Sequence, residues 1–216
     1  MQINGIVNEY IHVEKPDQEA VPSRQFDISK IDFDLLSREF AHTRRKNLLL
    51  RDLDELVNQQ LAKMLFANPH RMDYYDRYQE IIDAYNAEQN RATIEKTFMD
   101  LMELASSLDT EQQRYVREGF SSDEELSVYD LLFSENLTKQ EIETIKKVSV
   151  DLLTKIKQQI AKLDHWTDKQ ETKAIVDNLI RNTLWQELPN SYDVSDIQTY
   201  QKKIYEYVYM RYPEVA

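Results

Sequence analysis

The sequence predicts an all-α protein, an irregular multi-helix bundle of about eight or nine helices behind a short non-helical N-terminal lead-in. Three observations carry this expectation. Only 2 Gly and 5 Pro occur in 216 residues, too few for a turn-rich β architecture or a disordered linker. Apolar residues recur at intervals of three and four along most of the chain. Capping signatures, an oxygen-bearing residue three positions ahead of an acid or amide, precede these stretches repeatedly.

Residues 1–28 are the lead-in, because Ile3, Ile6, Val7, Ile11 and Val13 keep no helical period and Pro16 and Pro22 interrupt the stretch up to Ser29. Ser29 and Asp32 then stand at capping-box spacing ahead of the stripe Leu35, Leu36, Phe40. A second helix fits 51–66, where Leu53, Leu56, Val57, Leu61, Met64 and Leu65 share a face and Asn68-Pro69 ends the run. A third, 72–88, carries Tyr74, Tyr78, Ile81, Ile82 and Tyr85, and a fourth, 91–106, carries Ile94, Phe98, Leu101, Met102 and Ala105. Five further starts are marked by Asp109 with Gln112, Ser122 with Glu125, Thr138 with Glu141, Thr167 with Gln170 and Ser195 with Gln198. The clearest of these helices is 139–163, stepping through Ile142, Ile145, Val148, Leu152, Ile156, Ile160 and Leu163; the last two fit 168–187 and 196–211. This divides the chain into the lead-in, a first helical subdomain at 29–107 and a C-terminal helical subdomain at 108–216.

Charge restricts the function. The net charge is −12, and residues 139–216 hold 12 basic and 12 acidic side chains, so the whole excess lies in the first two thirds. A domain that binds nucleic acid on its own offers clustered Lys and Arg to displace phosphate counterions, and the dense basic cluster here is Arg44, Arg45, Lys46. Autonomous nucleic-acid binding is therefore not expected. The chain has no Cys, which excludes disulfides, thiolate metal sites and a cysteine nucleophile. No signal-peptide pattern opens the sequence and no apolar run reaches 18 residues, which predicts a cytoplasmic protein without a membrane span.

The search for catalytic chemistry returns no site. Gly5 and Gly119 cannot furnish a phosphate-binding loop of either common type. A formal PD…ExK string, Pro16-Asp17 with Glu171-Thr172-Lys173, is split across the chain, and Glu171 suits the first turn of a helix for dipole reasons alone. Two Glu-x-x-His strings, Glu9 to His12 and Glu39 to His42, have the i, i+3 spacing that helical bundles use to bind a metal pair. They support an alternative reading, a small helical-bundle metal-carboxylate protein, although the first string lies in the irregular lead-in. Ser, His and Asp occur without a G-x-S-x-G elbow.

Aromatic residues are the remaining signal. Thirteen Tyr are present, and Tyr200, Tyr205, Tyr207, Tyr209 and Tyr212 crowd the last helix on more than one face. Those five form the candidate partner interface; burial by neighbouring helices, with the hydroxyls reaching water, is the competing assignment. Trp166 and Trp185, which bracket the penultimate helix, are expected in the core. The acidic stretch 100–135 reads as a solvated face.

The segment RMDYYDRYQEIIDAYN at 71–86, with LAKMLFANPH before it, ELSVYDLL at 125–132, and the span 146–181 with its IAKLDHWTDKQETKA turn together resemble the C-terminal helical region of the R subunits of type I restriction-modification enzymes. The resemblance implies that the chain is the C-terminal part of such a subunit, with the lead-in as the trailing end of the upstream motor region. It also implies a role in joining the ATP-dependent translocase and endonuclease to the methyltransferase and specificity subunits. ATP and Mg would belong to the parent subunit and none to this region, because the motifs of the nuclease and motor domains have no matching positions here. The neutral C-terminal third, with its tyrosines, is where docking is expected.

Overall fold

The computed structural model describes residues 31–88 and 90–213, and among them every regular element is helical. The elements are α1 (Phe33–His42), α2 (Lys46–Ala67), a 3-10 turn (Pro69–Arg71), α3 (Met72–Ala87), α4 (Arg91–Gln112), α5 (Arg114–Arg117), α6 (Asp123–Leu132), α7 (Lys139–Ile160), α8 (Gln170–Glu187) and α9 (Val194–Arg211). The all-α expectation holds. The 1–28 lead-in and the Glu9 to His12 string lie outside the described residues.

Two apolar cores organise these helices. The first joins α1 through α4: Leu53, Val57, Leu61 and Met64 of α2 meet Phe98, Leu101, Leu104, Ala105 and Leu108 of α4, with Tyr78 and Ile81 of α3 alongside. Phe40 locks α1 onto α4 by stacking on Phe98, centroids 3.6 Å apart. The second core is built on α7, whose Ile145, Val148, Leu152, Leu153, Ile156 and Ile160 are buried in it, with α6 and α8 packed against this helix. Val176, Ile180 and Leu184 of α8 and Ile197, Ile204, Tyr207 and Val208 of α9 complete it.

Capping chemistry sets several helix starts, and the structure corrects three of the expected caps. The Asp32 carboxylate accepts from Leu35 N–H at 2.9 Å, Ser122 caps α6, and Thr138 forms a reciprocal box with Glu141. Asp109 starts nothing. The apolar stripe of α4 runs on through Leu108 and buried Glu111, so the helix continues to Gln112 instead of stopping near 106. Thr167 is also not a cap: α8 begins at Gln170 behind Lys169, which makes no side-chain cap bond. The α9 start moves two residues earlier, because Asp193 and Asp196 form a reciprocal box that outcompetes Ser195 and Gln198. α2 likewise starts at Lys46 and not Arg51, since Leu50 is already buried in the first core. α7 ends at Ile160, three residues short of Leu163.

Between the cores lies a short bridge. Gly119, at φ 83, ends α5 in the left-handed conformation that suits glycine, and Phe120 turns back into the second core with its N–H on the Tyr115 carbonyl at 2.8 Å.

Candidate functional site

The C-terminal helix holds the five tyrosines, and the fold separates them. Tyr207 is 4 % exposed, so it is a core residue and drops out of the expected interface. It is buried in the second core with Ile204 and Val208, on a helix that packs against α8 and α6. Tyr200, Tyr205 and Tyr212 are half-buried against that core. Only Tyr209 of the five is exposed, with Met210 beside it.

The rings form a connected scaffold around Trp166, which is 1 % exposed. Tyr205 and Tyr209 present edges to the indole at 6.2 and 5.7 Å, and the indole N–H donates to the Tyr212 carbonyl at 2.6 Å. Tyr192 meets Tyr200 edge to face at 5.6 Å and donates its hydroxyl to the Leu132 carbonyl at 2.7 Å. Burial pushes the Tyr192, Tyr207 and Tyr212 hydroxyls above the usual phenol range, so all stay protonated. Lysines cover the outer faces, Lys157 over Tyr212 at 5.2 Å and Lys173 over Tyr209 at 5.6 Å. Trp185, by contrast, is 49 % exposed on α8, against the expectation of core packing. Its neighbours on that outer face are polar, including Asn178, Arg181 and Asn182.

A charged network that the sequence alone did not reveal joins the two cores. Arg71, at 3 % exposure, donates from Nε to Glu111 at 3.0 Å and from both terminal nitrogens to Asp123 at 2.8 and 2.6 Å. Arg114 reaches Glu111 at 2.8 Å and also pairs with Asp130. Asn68, fully buried, donates to Asp130 at 2.6 Å, and Ser127 donates to the Ala67 carbonyl at 2.9 Å. The bonds made by Arg71, Asn68 and Ser127 span 40 to 62 positions, so no local spacing signals them, whereas Arg114 of α5 reaches Glu111 three positions away and Asp130 sixteen away. At the far end of the same seam, Arg211 of α9 lies over the Phe66 ring of α2 at 4.5 Å and 3.6 Å from Glu124.

The Glu39 to His42 string occupies the exposed end of α1, and among the described residues no group of three or more His, Asp or Glu converges as a metal site requires. Both side chains border a shallow groove with Thr43, Arg45, Leu48 and Leu49. No described helix is long and apolar enough to cross a membrane.

Comparison with curated proteins and with solved structures gives no match. Comparison with protein families matches residues 18–212 to the family described as type I restriction enzyme HindI endonuclease subunit-like, C-terminal. The match spans both cores and every described helix, so the chain belongs to the C-terminal family of type I restriction enzyme endonuclease subunits.

Proposed function

We propose that this helical region is a docking part of the endonuclease subunit, fixing the ATP-dependent motor and nuclease to the methyltransferase and specificity subunits. The chemistry, with its ATP and Mg, would reside in the upstream motor and nuclease domains. The observation that carries the proposal is the family match over 18–212. The neutral C-terminal third supports the placement of the contact, because a region with balanced charge loses less on desolvation than an acidic one. Tyr209, Met210 and Trp185 are its exposed large side chains on α8 and α9, with Ile175 and Val194.

Removing residues 196–216 does not test this reading, since α9 supplies Ile197, Ile204, Tyr207 and Val208 to the second core. Point substitution does. Tyr209→Ala and Trp185→Ala should each weaken binding to the assembled methyltransferase core by about 1 to 3 kcal/mol where the side chain is an anchor, with the thermal midpoint close to the parent. Unchanged affinity in the double variant would remove this surface from the interface.

A further inference from the structure

We propose that the basic corner where α1 meets α2 is a sequence-independent contact for the phosphate backbone of duplex DNA, carried by Arg38, Arg44 and Arg45. The proposal rests on the docking reading only in that it assumes the region is held within a DNA-handling assembly.

Residues 38–51 contain five basic side chains, Arg38, Arg44, Arg45, Lys46 and Arg51, against the single acid Glu39, in a chain whose net charge is −12. The fold extends this patch. Glu95 of α4 is 2.6 Å from Lys46 and 3.2 Å from Arg91, so the nearest α4 carboxylate is already neutralised and a sixth cation, exposed Arg91, stands beside the corner. Arg51 pairs with Asp52 at 3.7 Å. Arg38, Arg44 and Arg45 are exposed, and among the described residues they form no ion pair.

The placement works against folding. Arg44, Arg45 and Lys46 crowd the N-terminus of α2, the positive end of its dipole, where acids are favoured. The first turn of α2 holds no acid, and Arg45 at the cap position makes no side-chain cap bond. Lys46 is paired with Glu95, but Arg44 and Arg45 are set against the helix dipole without a carboxylate partner among the described residues. Stability does not explain this feature, and function is the usual reason for such a conflict.

The chemistry of the corner selects the occupant. Guanidinium groups match phosphate oxygens in a bidentate geometry. No exposed ring is there to stack a base or anchor a protein: Phe40 is buried and Phe33 packs on the first core, leaving the single leucines Leu35 and Leu48 exposed. The surface therefore suits duplex backbone better than single strands or a protein hot spot. Duplex binding here departs from the expectation, drawn from the net charge of −12, that the chain does not bind nucleic acid on its own: the acidic excess elsewhere is screened beyond about 10 Å at 0.1 M salt, so the local corner decides.

The test is fluorescence anisotropy of the 216-residue chain with a 30-base-pair duplex of arbitrary sequence, across salt. Three phosphate contacts predict a loss of about 40-fold in affinity between 50 and 200 mM salt. Arg38→Gln, Arg44→Gln and Arg45→Gln together should flatten that dependence and cost at least tenfold at 50 mM, while Lys202→Gln with Lys203→Gln changes neither slope nor binding beyond twofold. Circular dichroism confirms that each variant is folded. Absence of duplex binding at 50 mM, or binding unaltered by the triple substitution, overturns the proposal. Binding to the methyltransferase core is measured in parallel: a triple variant that loses the core but keeps DNA makes the corner a protein contact and overturns the DNA assignment, whereas loss of DNA binding with the core retained supports it whatever Tyr209 and Trp185 prove to do.

Discussion

At the scale of single residues, the side chain on which most rests is Arg71. Its guanidinium is buried and held by two carboxylates from different helices, Glu111 and Asp123. Burial alone would disfavour the charge, but the hydrogen bonds and charges of Asp123 and Glu111 outweigh it and hold the guanidinium ionised. Removing one member of such a cluster leaves the rest buried without compensation. Arg71→Ala is therefore expected to destabilise by about 3 to 5 kcal/mol in urea titration, and a loss under 1 kcal/mol would show that water replaces the guanidinium freely. Glu124 gives a pH prediction. Burial raises its carboxyl, yet the Lys157 hydrogen bond and charge, with help from Tyr212 and Arg211, leave it below the ordinary carboxylate value. A carboxyl depressed in the folded state contributes stability above its unfolded value, 4.5, and loses that contribution as pH falls through the folded value. Glu124→Gln should accordingly narrow the difference in melting temperature between pH 7 and pH 3. A variant with the same acid limb as the parent would exclude Glu124 from that loss.

At the scale of elements, the true and the false caps can be told apart by experiment. The Thr138 hydroxyl oxygen accepts from Glu141 N–H, and the Thr138 backbone N–H donates in return to the Glu141 carboxylate, so Thr138→Ala should cost about 1 kcal/mol. Thr167 stands at the same spacing from Gln170 but caps no helix, so Thr167→Ala should stay within about 0.5 kcal/mol. Equal losses in the two variants would contradict the assignment. The pair also shows how far the sequence could be read. The helix at 72–87 was legible nearly to the residue and the start of 139–160 at its cap, because an apolar stripe and a clear start or stop signal agree there, while the stripe of the latter runs three residues past its end. Asp109 and Ser195 misled because capping spacing is a local pattern, while the start of a helix is decided by whether the apolar stripe continues and by which of two overlapping boxes wins. Exposure of α9 was the least legible feature. Five tyrosines on one helix look alike in sequence, and only the way α9 packs on α8 and α6 decides that Tyr207 is core and Tyr209 is not. The basic corner was visible as a cluster, but its lack of pairing needed the fold.

At the scale of the whole molecule, two cores are tied by a polar seam instead of by continuous apolar packing. Both tryptophans belong to the C-terminal core region, Trp166 within it and Trp185 on its surface. Indole fluorescence therefore follows that core alone, while far-ultraviolet dichroism follows all helices. In the parent chain the two signals should change together in urea; in Arg71→Ala the seam is cut and they should separate by at least 0.5 M in midpoint, taking an m value of roughly 2 kcal/mol/M per unit. Coincident curves in the variant would show that the Phe66 and Arg211 contact suffices to couple the halves. The indole bond from Trp166 to the Tyr212 carbonyl has a further consequence, in the order of events during synthesis. The first core draws its buried residues from 40–108 and can close as soon as that stretch is free. The second cannot: its Trp166 waits for a partner 46 positions later, and α8, which covers one side of α7, follows α7 in the chain. During translation the chain thus passes through a stage in which the front half is folded and the apolar stripe of α7 stands open, the interval in which a nascent chain is most exposed to chaperones and to misassembly.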